Sequence, residues 1–262
     1  MRFFGYKIFK EKALDSCFFN RDKLFELLLK DIKQPVIFDV GANIGQSIEL
    51  FKKGAKEAII HSFEPNIECE AQLRKIAAKY SDVYINMCGI GAGGGRILLH
   101  RYSEHSINSF IEISQDSYAL NAKSHHKIND TLMQVQPKAI ECEVTSVDEY
   151  CQKTQINHIN VLKIDVQGFE NEVFCGAKSM LKAQKIDTIV VEIEFDDIYG
   201  RGNSFYELES YLVPYGYKLY DISHIYKDLN LGRTCWVDAI YVHENYLKNI
   251  LKDIKKGSNA KA

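Results

Sequence analysis

No Cys-x-x-Cys pair occurs among the seven cysteines, Cys17, Cys69, Cys88, Cys142, Cys151, Cys175 and Cys235. An odd set without that spacing indicates neither a disulfide framework nor a zinc knuckle, so the thiols read as reduced, as in a cytoplasm. Positive charge is not in excess: 33 Lys and Arg face 35 Asp and Glu, a net charge of -2. A nucleic-acid partner calls for a surplus of cations against phosphate, so none is expected. No apolar run is long enough for a membrane span. Lys7, Lys10, Glu11, Lys12 and Asp15 also break the first twenty residues, where a signal peptide needs an unbroken apolar core. The expectation is a cytoplasmic protein with no membrane span, its oligomeric state unknown. With 262 residues, 46% of them hydrophobic, the chain can bury one sizeable α/β core and still carry an insertion.

What is present begins at residues 36 to 47, Val-Ile-Phe-Asp-Val-Gly-Ala-Asn-Ile-Gly-Gln-Ser. A short apolar strand runs through Asp39 into a glycine turn and a helix. About twenty residues on, Ala58-Ile59-Ile60-His61-Ser62-Phe63 is a second apolar strand ending at Glu64. Strand, glycine loop, helix, strand, acid is the layout of a nucleoside-binding crossover, in which the acid accepts hydrogen bonds from ribose hydroxyls. A dinucleotide site would want a third glycine for close approach to pyrophosphate, and Asn43 occupies that place. Asp39 adds negative charge, which repels phosphate and suits a cationic ligand. S-adenosylmethionine therefore fits better than NAD.

Along the rest of the chain short β-rich runs alternate with amphipathic stretches. Residues 22–32 read as a helix, 36–40 as a strand, 44–54 as a helix, 58–63 as a strand, 66–79 as a helix and 83–88 as a strand. The glycine-rich run 89–95 reads as a tight turn, with a second phosphate cradle as the other possibility, and a strand follows at 96–101. Residues 102–138 are polar and aperiodic, the pattern of a lid or binding loop. A strand at 139–146, a helix at 147–153, the strand Val161–Asp165, a helix through Leu181 and a strand at 188–195 complete the crossover pattern. A helix (204–213), a strand (217–222) and a last strand (234–242) close it. The domain expectation is a helical cap at 1–35, a catalytic domain at 36–245 with an insertion at about 102–138, and a polar tail at 246–262. In open α/β sheets ligands lie beyond the carboxyl ends of the strands, so Asp39, Glu64 and Asp165 should converge on one crevice.

Three segments, DVGANIGQS at 39–47, FEPN at 63–66 and LKIDVQGFENEVFCGA at 162–177, resemble the signature blocks of the FkbM family of S-adenosylmethionine-dependent methyltransferases. Weaker blocks at 106–110, 145–150 and 189–192 agree in order. The resemblance implies a Rossmann-like class I methyltransferase fold: a seven-stranded, mostly parallel sheet with helices on both faces and an antiparallel last strand. It implies transfer of a methyl group from S-adenosyl-L-methionine to a hydroxyl of a small-molecule or glycan acceptor, such as a sugar, a glycan precursor or a secondary metabolite. Gln167 departs from the family, where many members have Glu.

Asp39, Gly41, Asn43, Gly45, Glu64, Pro65 and Ser109 are the expected cofactor residues: glycines for close approach, Asp39 for the cationic end, Glu64 for ribose. Asp39 could instead cap the next helix, Glu64 could be a turn residue, and the glycines could serve turn geometry and helix packing. Asp165 is the candidate base or acceptor-orienting group, with Glu192 beside it; the other reading of Asp165 is a carboxylate that anchors Lys163. No metal is expected, since two carboxylates alone do not specify one. His105, His125 and His126 are minor candidates for the base. An NAD-dependent oxidoreductase and a non-catalytic nucleoside-binding domain are the alternatives.

Overall fold

The computed structural model describes residues 2–3, 6–7, 21–102, 105–114, 138–195, 198–200, 204–227 and 232–259. The expected lid lies partly outside this set, at 103–104 and 115–137, as do His125 and His126. The elements that build the fold are α1 (Arg21–Leu29), β1 (Val36–Val40), α2 (Gln46–Gly54), β2 (Ile59–Phe63), α3 (Glu70–Ala77), β3 (Val83–Asn86), β4 (Gly89–Ile90), β5 (Gly95–Arg101) and β6 (Lys138–Thr145). They continue with α4 (Val147–Thr154), β7 (Ile159–Ile164), α5 (Glu170–Gly176), α6 (Lys178–Lys182), β8 (Ile186–Glu194), α7 (Phe205–Leu212), β9 (Tyr217–Lys227), β10 (Thr234–His243) and α8 (Glu244–Asn259).

Seven strands form one sheet in the order β9-β10-β8-β7-β1-β2-β3. The block from β8 to β3 is parallel, and β10 enters it antiparallel to both β8 and β9. This is the seven-stranded sheet with an antiparallel last strand implied by the resemblance. Helices cover both faces, which is why the central strands are almost continuously apolar. On one face Phe38, Val40, Leu162, Ile164, Val191 and Ile193 pack with residues of α4 to α7. On the other, Ile37, Ile60, Val161, Val190 and Ile240 pack with Leu24, Phe25 and Leu28 of α1, Ile48 and Phe51 of α2, Leu73 of α3 and Ile250 of α8. Successive residues of a strand point to opposite faces, so this division follows directly from the sequence.

Two features differ from the sequence reading. Strands β5 and β6, expected at 96–101 and 139–146, do not join the main sheet: with β4 they make a separate three-stranded sheet in the order β4-β6-β5. β4 pairs parallel and β5 antiparallel to β6, so the glycine run is a strand and a turn, with no cradle at a helix start. The second difference is α8, which runs from Glu244 to Asn259 where a polar tail was expected from 246. Tyr246, Leu247 and Ile250 recur at helical spacing and pack on the core, and the Tyr246 hydroxyl donates to the Leu28 carbonyl of α1.

Local signals fix where helices begin. Ser146 and Glu149 exchange side-chain to backbone hydrogen bonds at the start of α4, and Ser204 and Glu207 do the same for α7. The expected helix at 66–79 opens as a 3-10 turn, because Asn66 caps it by accepting from the Glu68 N–H. Among the described residues no helix is long and apolar enough to cross a membrane.

Candidate functional site

A cleft of about 430 Å³ opens at the carboxyl ends of β1, β2, β7 and β8, roofed by residues 105–110. Of the residues expected from sequence, Gly41, Asn43, Glu64, Pro65, Ser109, Asp165 and Glu192 line it. Asp39 and Gly45 do not. Gly45 starts α2 at φ 96°, and a Cβ there would press on Leu73 and Ile76, so turn geometry and helix packing account for a glycine at this position. Gly41, at φ 81°, lies so close to the next loop that a Cβ would come within 1.8 Å of the Asp165 carbonyl oxygen.

Asp39 is fully buried, and the donors that act on its carboxylate are Lys163 and Ser47. Its partner follows from register: β1 and β7 pair with Asp39 opposite Lys163, both on the Ile37 and Val161 face. Lys163 Nζ lies 3.6 Å from Asp39 Oδ1 and 3.2 Å from Asp165 Oδ2. Burial raises Asp39 above the usual aspartate value, with Lys163 opposing. Burial would lower Lys163, but the Asp165 and Asp39 carboxylates outweigh it and hold the ammonium charged. Lys163 lines the cleft and Asp39 does not, so Lys163 is the member of this ion pair that faces the cleft.

Glu64 follows β2 and is nearly buried. Its Oε2 accepts from Asn43 N–H and its Oε1 from Asn66 N–H, both at 2.8 Å, so it ties the glycine loop to the second strand. Burial pushes it up to about 7, against the pull of those two donors. A carboxylate offers about four acceptor positions, so roughly two remain for a ligand.

The far wall carries Asp165, Gln167 and Glu192. Gln167 Nε2 donates to Asp165 Oδ1 at 2.9 Å and to Glu192 Oε2 at 2.7 Å. Asp165 keeps 36% of its side chain exposed; burial works to raise it, but Lys163 and Gln167 hold it below the usual range. Burial and the Asp165 charge raise Glu192 well above its usual value. Ser109 Oγ donates to the Gln167 carbonyl at 2.6 Å and accepts from Ile111 N–H, fixing the roof to this wall. His105 lines the cleft, with Nδ1 3.3 Å from Asn66 Nδ2.

The sequence reading missed Lys163 as a lining residue, Gln167 as a bridge, and Glu194, His224, Trp236 and Asp238, which also line the cleft. One signal was available. On the face carrying Ile37, Val161, Val190 and Ile240, the next residue toward the cleft is Asp39, Lys163, Glu192 and Asp238 in turn, a row in which apolar gives way to charge at one sheet edge. Five lining carboxylates, Glu64, Asp165, Glu192, Glu194 and Asp238, face Lys163 as the one Lys or Arg of the described lining. Such a cleft favours a cation and disfavours a diphosphate. Among the described residues no three His, Cys, Asp or Glu side chains are grouped to hold a metal ion.

The sheet order and this cleft are those of a Rossmann-like class I methyltransferase fold. The chain belongs to the Methyltransferase FkbM domain family, which matches residues 39–219. It is similar to the 2-O-methyltransferase NoeI of Sinorhizobium fredii, 24% identical over 63% of this chain and 65% of that protein. It is also similar to the hexuronic acid methyltransferase AglP of Haloferax volcanii, 25% identical over 65% of this chain and 61% of that protein. The chain thus spans less than two thirds of the length of either relative. Among solved structures, an FkbM methyltransferase of Methylobacillus flagellatus superposes with a TM-score of 0.49 at 15% identity, over 79% of this chain and 44% of that one.

Proposed function

We propose that the protein is an S-adenosylmethionine-dependent O-methyltransferase acting on a hydroxyl of a sugar, a glycan precursor or a secondary metabolite. The observation that carries this reading is one cleft with Glu64 at the end of β2 on one wall and Asp165 on the other. Family membership supports it, as do the two relatives, one named for 2-O-methylation and one for a hexuronic acid.

The residues fit the cofactor. Gly41 brings backbone against the mouth of the cleft, Asn43 and Pro65 shape the walls beside it, and Glu64 has acceptor positions left for ribose hydroxyls. The acidic lining suits a donor with a sulfonium and an ammonium and no phosphate. When bound, S-adenosylmethionine supplies an electrophilic methyl group.

The chain's own residues then have a small task. An alcohol is a poor nucleophile while protonated, and Asp165, ionised and open to the cleft, takes the hydroxyl proton as general base, help typically contributing about 10²- to 10⁴-fold. Lys163 keeps that carboxylate charged until it does so. The roof residues 105–110 hold the acceptor and exclude water, and positioning of this kind supplies much of the remaining rate.

Two measurements test the proposal. Calorimetry should show binding of S-adenosylmethionine and none of NAD. A screen of sugar and polyketide hydroxyl acceptors should show release of S-adenosylhomocysteine; an intact protein that binds NAD in preference would overturn the reading.

A further inference from the structure

We propose that Gln167 is a positioning residue whose side-chain amide clamps the Asp165 and Glu192 carboxylates into one hydrogen-bonded unit, leaving Asp165 open to the cleft to receive the acceptor proton. Its catalytic use rests on the methyl-transfer reading; the clamp itself does not.

The geometry defines the clamp from both ends. The amide nitrogen spends its two N–H groups on two different carboxylates, Asp165 at 2.9 Å and Glu192 at 2.7 Å. The amide oxygen accepts from the buried Tyr199 hydroxyl at 3.2 Å. This arrangement fixes which end of the amide is which, because the reverse orientation would turn the oxygen toward two carboxylates. The Gln167 backbone is held as well: its carbonyl accepts from Ser109 Oγ at 2.6 Å, and its φ of 55° lies in the left-handed region, which a non-glycine residue adopts only when its surroundings demand it.

The side chain is matched to the task. A carboxylate at this position would bring a third anion against Asp165 and Glu192, and a lysine would offer no acceptor to Tyr199. A leucine would leave both carboxylates without their shared donor. Of these, the primary amide alone presents two donors forward and an acceptor behind.

The clamp also joins the roof of the cleft to the base. Tyr199 Oη lies 3.0 Å from the Ile107 carbonyl and 3.2 Å from Gln167 Oε1, so its single proton is shared between the two acceptors, and Ser109 sits on the same segment as Ile107. Residues 107 and 109, which line the cleft, therefore reach Asp165 through one residue, Gln167: Ile107 by way of Tyr199 and the side chain, Ser109 by way of the backbone carbonyl.

Other charges act on the pair. Asp165 faces Lys163 on its own strand, Asp39 from β1, Glu64 after β2 and Glu170 from α5. Glu192 faces Glu194 on its own strand, Asp238 on β10 and Glu170 of α5. All but Lys163 are acids, and burial raises Asp39, Glu64, Glu170 and Glu192 toward their neutral forms. Lys163 first, then the amide and a hydrogen bond from Glu192, keep Asp165 ionised.

The test is a pH titration of the two carboxyl carbons by NMR, with Asp and Glu labelled at the carboxyl, in the wild-type chain, Gln167→Leu and Tyr199→Phe. Gln167→Leu should raise the proton affinity of Asp165 at least tenfold. Tyr199→Phe, which keeps the ring and its packing, should move Asp165 in the same direction by less. Titrations of Asp165 and Glu192 that match wild type in either folded variant overturn the proposal, and if Gln167→Leu does not fold, Tyr199→Phe decides alone. Calorimetry with S-adenosylmethionine on the same samples reads the methyl-transfer proposal separately: absent binding with a shifted titration would reject that reading and keep the clamp.

Discussion

Asp165 and Glu64 follow β7 and β2, the strands on either side of β1, yet their surroundings set the two carboxylates apart. Lys163 and Gln167 keep Asp165 ionised, whereas burial leaves Glu64 titrating at about 7. Asp165→Asn should therefore lower turnover about 10²- to 10⁴-fold, the share of a general base, with S-adenosylmethionine affinity nearly unchanged. Single-turnover kinetics beside calorimetry checks this, and normal turnover would remove Asp165 as base. Both carboxylates were legible in the sequence, because each stands where an apolar run meets a turn. Lys163 was legible as a residue that Asp165 anchors, but its pairing with Asp39 and the Gln167 bridge to Glu192 were not, because strand register and a left-handed backbone set them and neither is written in local spacing. Asp39 was legible as a strand-end acid, but only the sheet shows that it lies beneath the cleft.

Elements place these residues through register. The pairing of Asp39 with Lys163 joins β1 to β7, segments more than a hundred residues apart. Lys163→Met would leave the Asp39 carboxylate buried without its cation, at a cost of about 3–5 kcal/mol by the usual penalty for breaking a buried ion pair. Urea unfolding would read that loss; an unchanged midpoint would mean that Asp39 is neutral in the folded protein. The loop after β1 is equally constrained. Gly41→Ala would force a Cβ into the Asp165 carbonyl at an unfavourable φ, costing about 1–3 kcal/mol as overpacking does, together with lost cofactor affinity. Strand and helix types along the main sheet were readable from the alternation of apolar runs with amphipathic stretches. The separate sheet of β4, β5 and β6 was not, since propensity identifies a strand without naming its neighbour. Helix α8 was hidden by the lysines that surround its apolar positions.

At the scale of the whole molecule, buried acids tie stability and ligand binding to pH. Burial raises Glu64 and Glu170 from 4.5 to about 7. For a carboxyl raised in the folded state, stability is fully present below the unfolded value and is lost as pH rises through the folded one. These two groups should therefore cost the free protein stability between about pH 4.5 and pH 7, by up to about 1.4 kcal/mol per unit for each. Urea midpoints at pH 5 and pH 7.5 check the direction, and Glu64→Gln should flatten part of the slope. A steady rise in stability across that window would contradict the assignment. In the proposed complex ribose hydroxyls would donate to the ionised form of Glu64, so cofactor affinity should climb through about pH 7 and level off about one pH unit above it.

The central claim is that an acidic, phosphate-averse cleft holds S-adenosylmethionine through Glu64. Calorimetric titration of that cofactor at pH 8 into the wild-type chain and Glu64→Ala tests it most directly. One-to-one binding is expected in the wild type, weakened by about 1.5–3 kcal/mol in the variant, the range for a hydrogen bond to a charged group. Equal affinity in both folded proteins, or no heat from the wild type, would contradict it.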